Sequence, residues 1–382
     1  MEQAVTARRI FDGTAWHENA ALEIRAGRVY RICPVADLPK DTARTDMGAM
    51  LAPGFVDLQV NGGGGVMLGA SPGVAEIETI IAAHQAGGTT ALLPTLITDT
   101  PEVTRAVLEA GAAATRARMP GFLGLHLEGP HLDPARHGAH DPRRIRAMED
   151  ADLAMLIAAR KELPALLVTV APASVTPEQV AALVDARIRV SLGHAECGSE
   201  TARAYADAGA RSVTHLFNAM SPLGHRAPGL VGAALDDGRL SAGLIADGVH
   251  VDPAALRIAL RAKAGPGGIY LVTDAMAVAG TDLSSFKVQG REIYRKAGRL
   301  TLADGTLAGA DCDMISCVRY LHETGGARIE DALTAASTTP AKMMEFFPRK
   351  GALLPGSDAD FVALSEDLTL TAVARAGEML TN

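Results

Sequence analysis

Four residues able to do chemistry stand where apolar runs of the chain end. Glu128 closes FLGLHLE, His194 closes RIRVSLGH, His215 closes SVTH and Asp274 closes GIYLVTD. Two imidazoles and a carboxylate are three ligands for a divalent cation, and an open fourth position marks a catalytic ion rather than a structural one. An ion so held lowers the pKa of a bound water and polarises a carbonyl oxygen. A second carboxylate is then needed to take the water's proton and pass it to a leaving group, and Asp274 is the candidate. Singly, each residue has a plainer reading. A histidine in an apolar strand is more often a hydrogen-bonded core residue, Glu128 could cap a helix or pair with a cation, and Asp274 could cap the helix that follows it. Their recurrence at the ends of successive runs favours one shared site.

For those residues to meet, the runs must be neighbouring strands. Eight runs start at Gly54, Thr89, Phe122, Leu166, Arg187, Ser212, Leu240 and Gly268. Between them lie predicted helices at 74–86, 101–118, 150–161, 177–185, 199–208 and 253–263, with Thr100, Thr176 and Asp252 as N-caps, each before a proline. This alternation predicts an α/β protein with a (β/α)8 TIM-type barrel, whose polar strand ends converge on one mouth. A doubly wound sheet is the competing arrangement. Residues 3–10, 21–25 and 29–33 instead alternate with period two, and the stretch from Gly351 onward returns to that pattern after a predicted helix at 331–344. The expected division is therefore 1–52 as the first part of a small β-domain, 53–345 as the barrel, and 346–382 as the second part.

Composition narrows the function classes. In 382 residues, 36 Lys and Arg against 44 Asp and Glu leave a net charge of −8, so no basic surface exists for nucleic acid or an anionic membrane. Aromatic residues at 4% are too few for base-stacking platforms. No apolar stretch reaches the roughly 18 to 20 residues that span a bilayer, and MEQAVTARRIFDG lacks the apolar centre of a secretory signal. Cys33, Cys197, Cys312 and Cys317 form no CxxC pair, which fits packed thiols in a reducing cytoplasm. The glycine run 62–65 lacks the spacing of a nucleotide-binding loop.

Further polar residues fall near the expected mouth. His137 and His140 lie in ARHGAHDP, and His126 shares the parity of Glu128 and could support it from behind. Arg226, His250 and backbone amides near Asn218 could grip an anion, although Arg226 could equally form a surface ion pair.

Taken together, LAPGFVDLQVNGGGG (51–65), LGLHLEGPHL (123–132), RHGAH (136–140), VSLGHAECG (190–198), VTHLFNAM (213–220), RAPGLVGAAL (226–235), IADGVHVDP (245–253), LVTDAM (271–276) and TLAGADCDM (306–314) span essentially the whole chain. In these segments the sequence resembles the N-acetylglucosamine-6-phosphate deacetylases of the amidohydrolase superfamily. The resemblance implies that superfamily's barrel with a small β-sandwich built from both chain ends. It implies Glu128, His194 and His215 as metal ligands and Asp274 as the catalytic acid and base. It also implies substrate contacts at Ala139, His140, Asn218, Ala219, Arg226, Asp247, His250, Leu307, Ala308 and Gly309. The expected partner is a small amino-sugar phosphate, hydrolysed to glucosamine 6-phosphate and acetate. The expected cofactor is one divalent ion per subunit, zinc first, with iron, cobalt or manganese as alternatives, in a cytoplasmic homodimer without nucleic-acid or membrane partners. Many members of the superfamily carry His-x-His at the end of the first strand, where this chain has Gln59-Val60-Asn61. Amide oxygens are weaker ligands than imidazoles, so one tightly held ion is expected, with Gln59 and Asn61 marking a weak second site or a substrate contact. The rival readings are N-acetylgalactosamine 6-phosphate or another N-acyl sugar phosphate as substrate, and a metal-free homologue that only binds.

Overall fold

The computed structural model describes residues 2–39 and 41–380. Eight parallel strands form one sheet: β1 (Phe55–Val60), β2 (Thr89–Ile97), β3 (Leu125–Glu128), β4 (Leu166–Val170), β5 (Arg189–Leu192), β6 (Ser212–Val213), β7 (Ser241–Leu244) and β8 (Ile269–Leu271). They neighbour one another in chain order. Past β8 the chain closes on β1, since Asp274 N donates to Gln59 O at 2.9 Å and Asn61 N donates to Ala275 O at 2.9 Å. The expected barrel is therefore what forms. The residues of β3 and β4 are buried without exception, as the continuous apolar runs of parallel strands covered on both faces require.

A helix follows each strand: α1 (Val74–Gln85), α2 (Pro101–Arg116), α3 (Asp150–Arg160), α4 (Pro177–Asp185), α5 (Ser199–Asp207), α6 (Gly229–Asp236), α7 (Pro253–Ala262) and α8 (Met314–Glu323). The three expected caps act as such. Thr100, Thr176 and Asp252 accept from the backbone N–H groups of Val103, Gln179 and Ala254. At Thr176 the bond is reciprocal, because the Gln179 side chain accepts from Thr176 N at 3.0 Å, completing a capping box. Helix α6 carries no amphipathic signal, since residues 229–235 are all buried. The helix expected at 331–344 is two helices, Ile329–Ala336 and Thr338–Met343, broken at Ser337. The Pro340 ring would clash with the Ala336 carbonyl in an unbroken helix.

The strands of the chain ends join one eight-stranded sheet, ordered Glu378–Met379, Leu370–Arg375, Phe361–Leu364, Met50–Pro53, Glu2–Phe11, Trp16–Arg25 and Arg28–Pro34, with Arg44–Asp46 beside the first half of Glu2–Phe11. Leu22 and Ile24 from the start of the chain share one apolar core with Phe361 and Ala363 from its end. By contacts, the described residues up to 57, with 84–91 and those from 313 onward, group together, and 58–83 and 92–312 form the second unit. The sequence pattern placed those limits at 52/53 and 345/346. Absent from the sequence reading is a four-stranded antiparallel sheet, Ser285–Val288, Arg291–Lys296, Arg299–Thr301 and Leu307–Ala310, inserted between β8 and α8. Among the described residues no helix is long and apolar enough to cross a membrane.

Thr176→Ala removes the α4 capping box. It should lower stability by about 1 kcal/mol in urea-induced unfolding and leave catalytic turnover at the wild-type level.

Candidate active site

The strand ends deliver their polar residues to one place. Glu128 is the last residue of β3, while His194, His215 and Asp274 stand two or three residues beyond β5, β6 and β8. All four are buried. The backbone of His194, His215 and Asp274 is left-handed, with φ of 47°, 28° and 51°. Side chains with a Cβ seldom adopt that region, at a cost of about 1–3 kcal/mol each, and such strain collects at functional sites. Gly193 makes the turn at His194 sterically feasible, since a Cβ there would lie 2.8 Å from Thr169 Cγ2 and from Thr214 Cβ.

Glu128 Oε1 lies 3.0 Å from His215 Nε2 and 3.3 Å from His194 Nε2, and the two Nε2 atoms are 3.1 Å apart. His194 Nδ1 donates to Arg136 O at 2.8 Å, which leaves a bare electron pair on Nε2 of the neutral ring. Three electron-pair donors so close repel one another unless positive charge lies between them. Ligand bonds of about 2.0–2.2 Å in a tetrahedral site place ligand atoms about 3.3–3.6 Å apart, close to the separations here, so the set fits a divalent ion. Among the described residues this is the one group of three His, Cys, Asp or Glu side chains that meets the geometric test for a cation. Burial alone would raise the Glu128 pKa, but the close approach of His140, His194 and His215 outweighs it and holds the carboxyl well below the usual carboxylate range.

Asp274 stands one side chain away. Gln59 Nε2 donates to Glu128 Oε1 at 2.9 Å and to Asp274 Oδ1 at 3.0 Å, and Asn61 Nδ2 donates to Asp274 Oδ1 at 2.7 Å. The amides thus turn their nitrogens, not their oxygens, to the carboxylates, and Asn61 Oδ1 is buried with no hydrogen-bond partner. Burial, and then the charge of Glu128, push Asp274 up to about 6. His140 sits across from it, with Nε2 3.5 Å from Glu128 Oε2. Thr98 N donates to His140 Nδ1 at 3.3 Å, so the ring proton is on Nε2 and faces the site. Burial, and then His194, push the His140 pKa down to about 4, which keeps the ring neutral.

Above these groups opens a cavity of about 260 Å³. Of the expected residues, Asn61, Glu128, Ala139, His140, His194, His215, Asn218, Ala219, His250, Asp274, Leu307 and Gly309 line it. Asp247 stands behind, with its carboxylate Oδ2 2.7 Å from His250 Nδ1. Ala308 points the other way, into an apolar cluster with Met276 and Ile293. Arg226 is exposed and does not line the cavity of this chain. His126 bonds Thr169 Oγ1 at 2.7 Å and Thr95 Oγ1 at 3.3 Å beneath the site instead of supporting Glu128 directly. Sequence reasoning missed the inserted sheet's contribution of Val288, Arg291, Ile293 and Thr306. The alternation in VQGREIYRKAGRLTL, punctuated by Gln-Gly and Ala-Gly, was the signal for it.

A profile of the Amidohydrolase family matches residues 50–380. The chain is 41% identical over 337 residues to an N-acetylgalactosamine-6-phosphate deacetylase of Shewanella sp. (strain ANA-3), covering 88% of this chain and 84% of that protein. It is 36% identical over 400 residues to the N-acetylglucosamine-6-phosphate deacetylase of Mus musculus, covering 99% and 95%. A crystal structure of N-acetylglucosamine-6-phosphate deacetylase from Pasteurella multocida superposes with a TM-score of 0.96 at 32% identity and covers 100% of both chains.

Adding Zn²⁺ to chelator-treated protein at a hundredfold excess over Kd should stabilise it by about 2.7 kcal/mol, seen as a rise in Tm. His194→Ala and His215→Ala should abolish that rise, and Gly193→Ala should shrink it. An undiminished rise in both histidine variants would place the ion elsewhere.

Proposed function

Because the chain belongs to the amidohydrolase family, we propose that it hydrolyses the N-acetyl group of N-acetyl-D-glucosamine 6-phosphate to D-glucosamine 6-phosphate and acetate. One observation carries the reading. A carboxylate with a raised pKa, Asp274, stands one hydrogen-bonded amide away from a carboxylate–imidazole set that fits a divalent ion.

Glu128, His194 and His215 would hold the ion, which when bound supplies Lewis acidity to the acetamide oxygen and acidity to a water. The remaining steps belong to side chains. Asp274, ionised at neutral pH, accepts a proton from the attacking water. At about 6 its pKa is high enough for the same carboxyl to return that proton to the departing nitrogen, as an ordinary carboxyl near 4 would do less well. The C–N bond breaks, the amine leaves on the sugar, and the acyl group leaves as acetate. His140 directs its Nε2–H at the site and stabilises the negative charge that develops on the acyl oxygen. His250, oriented by Asp247, together with Asn218 and Ala219, receives the sugar phosphate. Binding energy gained there orients the acetamide toward Asp274 and His140.

We assign zinc as the ion, one per subunit, with iron, cobalt or manganese able to replace it in a donor set of this kind. Among the described residues no disulfide joins the four cysteines, and we propose that the enzyme works in a reducing cytoplasm as a homodimer. A second reading rests on the 41%-identical relative that bears the name N-acetylgalactosamine-6-phosphate deacetylase. The two substrates differ only in the configuration of one sugar hydroxyl, so acetate release measured on both 6-phosphates side by side decides between them.

Asp274→Asn should lower kcat by about 10³ while preserving the Zn²⁺-induced rise in Tm; near-native turnover would remove Asp274 from the reaction. In the wild type, kcat/KM should fall on the acid side as Asp274 takes up its proton. The limb should lie at about pH 6 or below, since a cation beside the carboxylate pulls its pKa down from about 6. A flat profile through that range, down to pH 4, would contradict the assignment.

A further inference from the structure

We infer that the hairpin tip at Gln289–Arg291 is a brace that sets the position of His140, and that both side chains are positioning residues for the hydrolysis. The inference rests on the reading that His140 faces the acyl oxygen. Strands Ser285–Val288 and Arg291–Lys296 are joined by the two-residue turn Gln289-Gly290. Both turn residues have positive φ, 49° and 80°, the backbone of a tight primed hairpin turn. Such a turn is short and stiff, so side chains mounted on it hold their aim.

Each side chain reaches a different support of His140. Gln289 Nε2 donates to Thr98 O at 2.8 Å and to Asp99 Oδ2 at 2.9 Å. Thr98 is the residue that fixes the ring, through its N–H at 3.3 Å and its hydroxyl at 2.8 Å from His140 Nδ1. Asp99 in turn binds the Arg144 guanidinium, beyond His140 on the same loop. On the other side, Arg291 Nη2 donates to the carbonyl of Ala139 at 2.6 Å, immediately before His140. One turn therefore holds the ring's partner, the preceding carbonyl and, through Asp99, the far end of the loop.

Two further features favour a brace over an accidental contact. Val288 and Ile293 anchor the hairpin in the apolar cluster with Met276 and Ala308, against which Ala139 also packs. The Arg291 Nε–H is buried without a hydrogen-bond partner, so burial of this guanidinium is not explained by full satisfaction of its own donors. Placement against Ala139 is what its position achieves. A catalytic donor displaced by a fraction of an ångström loses much of its effect, because the charge it stabilises exists only in the transition state.

A double-mutant cycle tests the brace, with substrate turnover as the readout and the Zn²⁺-induced Tm rise as the check that fold and ion site persist. Arg291→Ala should lower kcat about tenfold with little change in KM, and Arg291→Lys, which keeps one donor for the Ala139 carbonyl, should recover most of the loss. In a His140→Asn background Arg291→Ala should cost less than twofold, because the residue it positions is gone. If Arg291→Ala does not fold, Gln289→Ala runs the same cycle. An equal loss in both backgrounds, or a loss confined to KM as for a direct substrate ligand, overturns the brace while leaving the role of His140 intact. Normal turnover by His140→Asn alone overturns the assignment of His140 and the inference built on it.

Discussion

The structure turns on the crowding of three electron-pair donors. Glu128 Oε1, His194 Nε2 and His215 Nε2 lie within 3.0 to 3.3 Å of one another, in side chains that are almost fully buried. In a low-dielectric interior that arrangement is costly unless a cation resolves it. The surrounding features serve to keep the crowding in place. Strand ends bring the residues together, Gly193 lets the backbone turn, and left-handed residues aim the side chains. The Arg136 carbonyl holds the His194 proton on the nitrogen facing away from the site.

The second carboxylate depends on the first. Asp274 is close enough to Glu128 to feel its charge: burial and then that charge raise the Asp274 pKa, while the histidines around Glu128 hold its own down. Gln59 and Asn61 make that proximity tolerable, because their amide N–H groups bind the carboxylate oxygens. Imidazoles at these two positions would add ligands; the amides instead stitch a ligand to the acid and base. This suits a site built around one ion.

Much of the barrel and of the inner site was legible in the sequence, because both rest on patterns that local physics imposes. Parallel strands buried on both faces must read as apolar runs, and chemistry at such strands must sit where the runs end; Glu128, His194, His215 and Asp274 obey this. Caps before proline were equally plain. What was not legible lacked a local signature. Helix α6 is buried on all sides and shows no polar face. The position of Arg226, exposed and outside the cavity, depends on a loop path that no spacing encodes. The inserted sheet did alternate, but the link from Gln289 to Thr98 spans 191 residues and follows only from the tertiary fold.

The most direct test is an anomalous difference map from crystals of the zinc-loaded protein, recorded on both sides of the zinc edge. One peak per chain is expected, within bonding distance of Glu128 Oε1, His194 Nε2 and His215 Nε2, with Asp274 outside bonding distance. A principal peak on the Gln59 and Asn61 side, or no peak among the three donors, would contradict it.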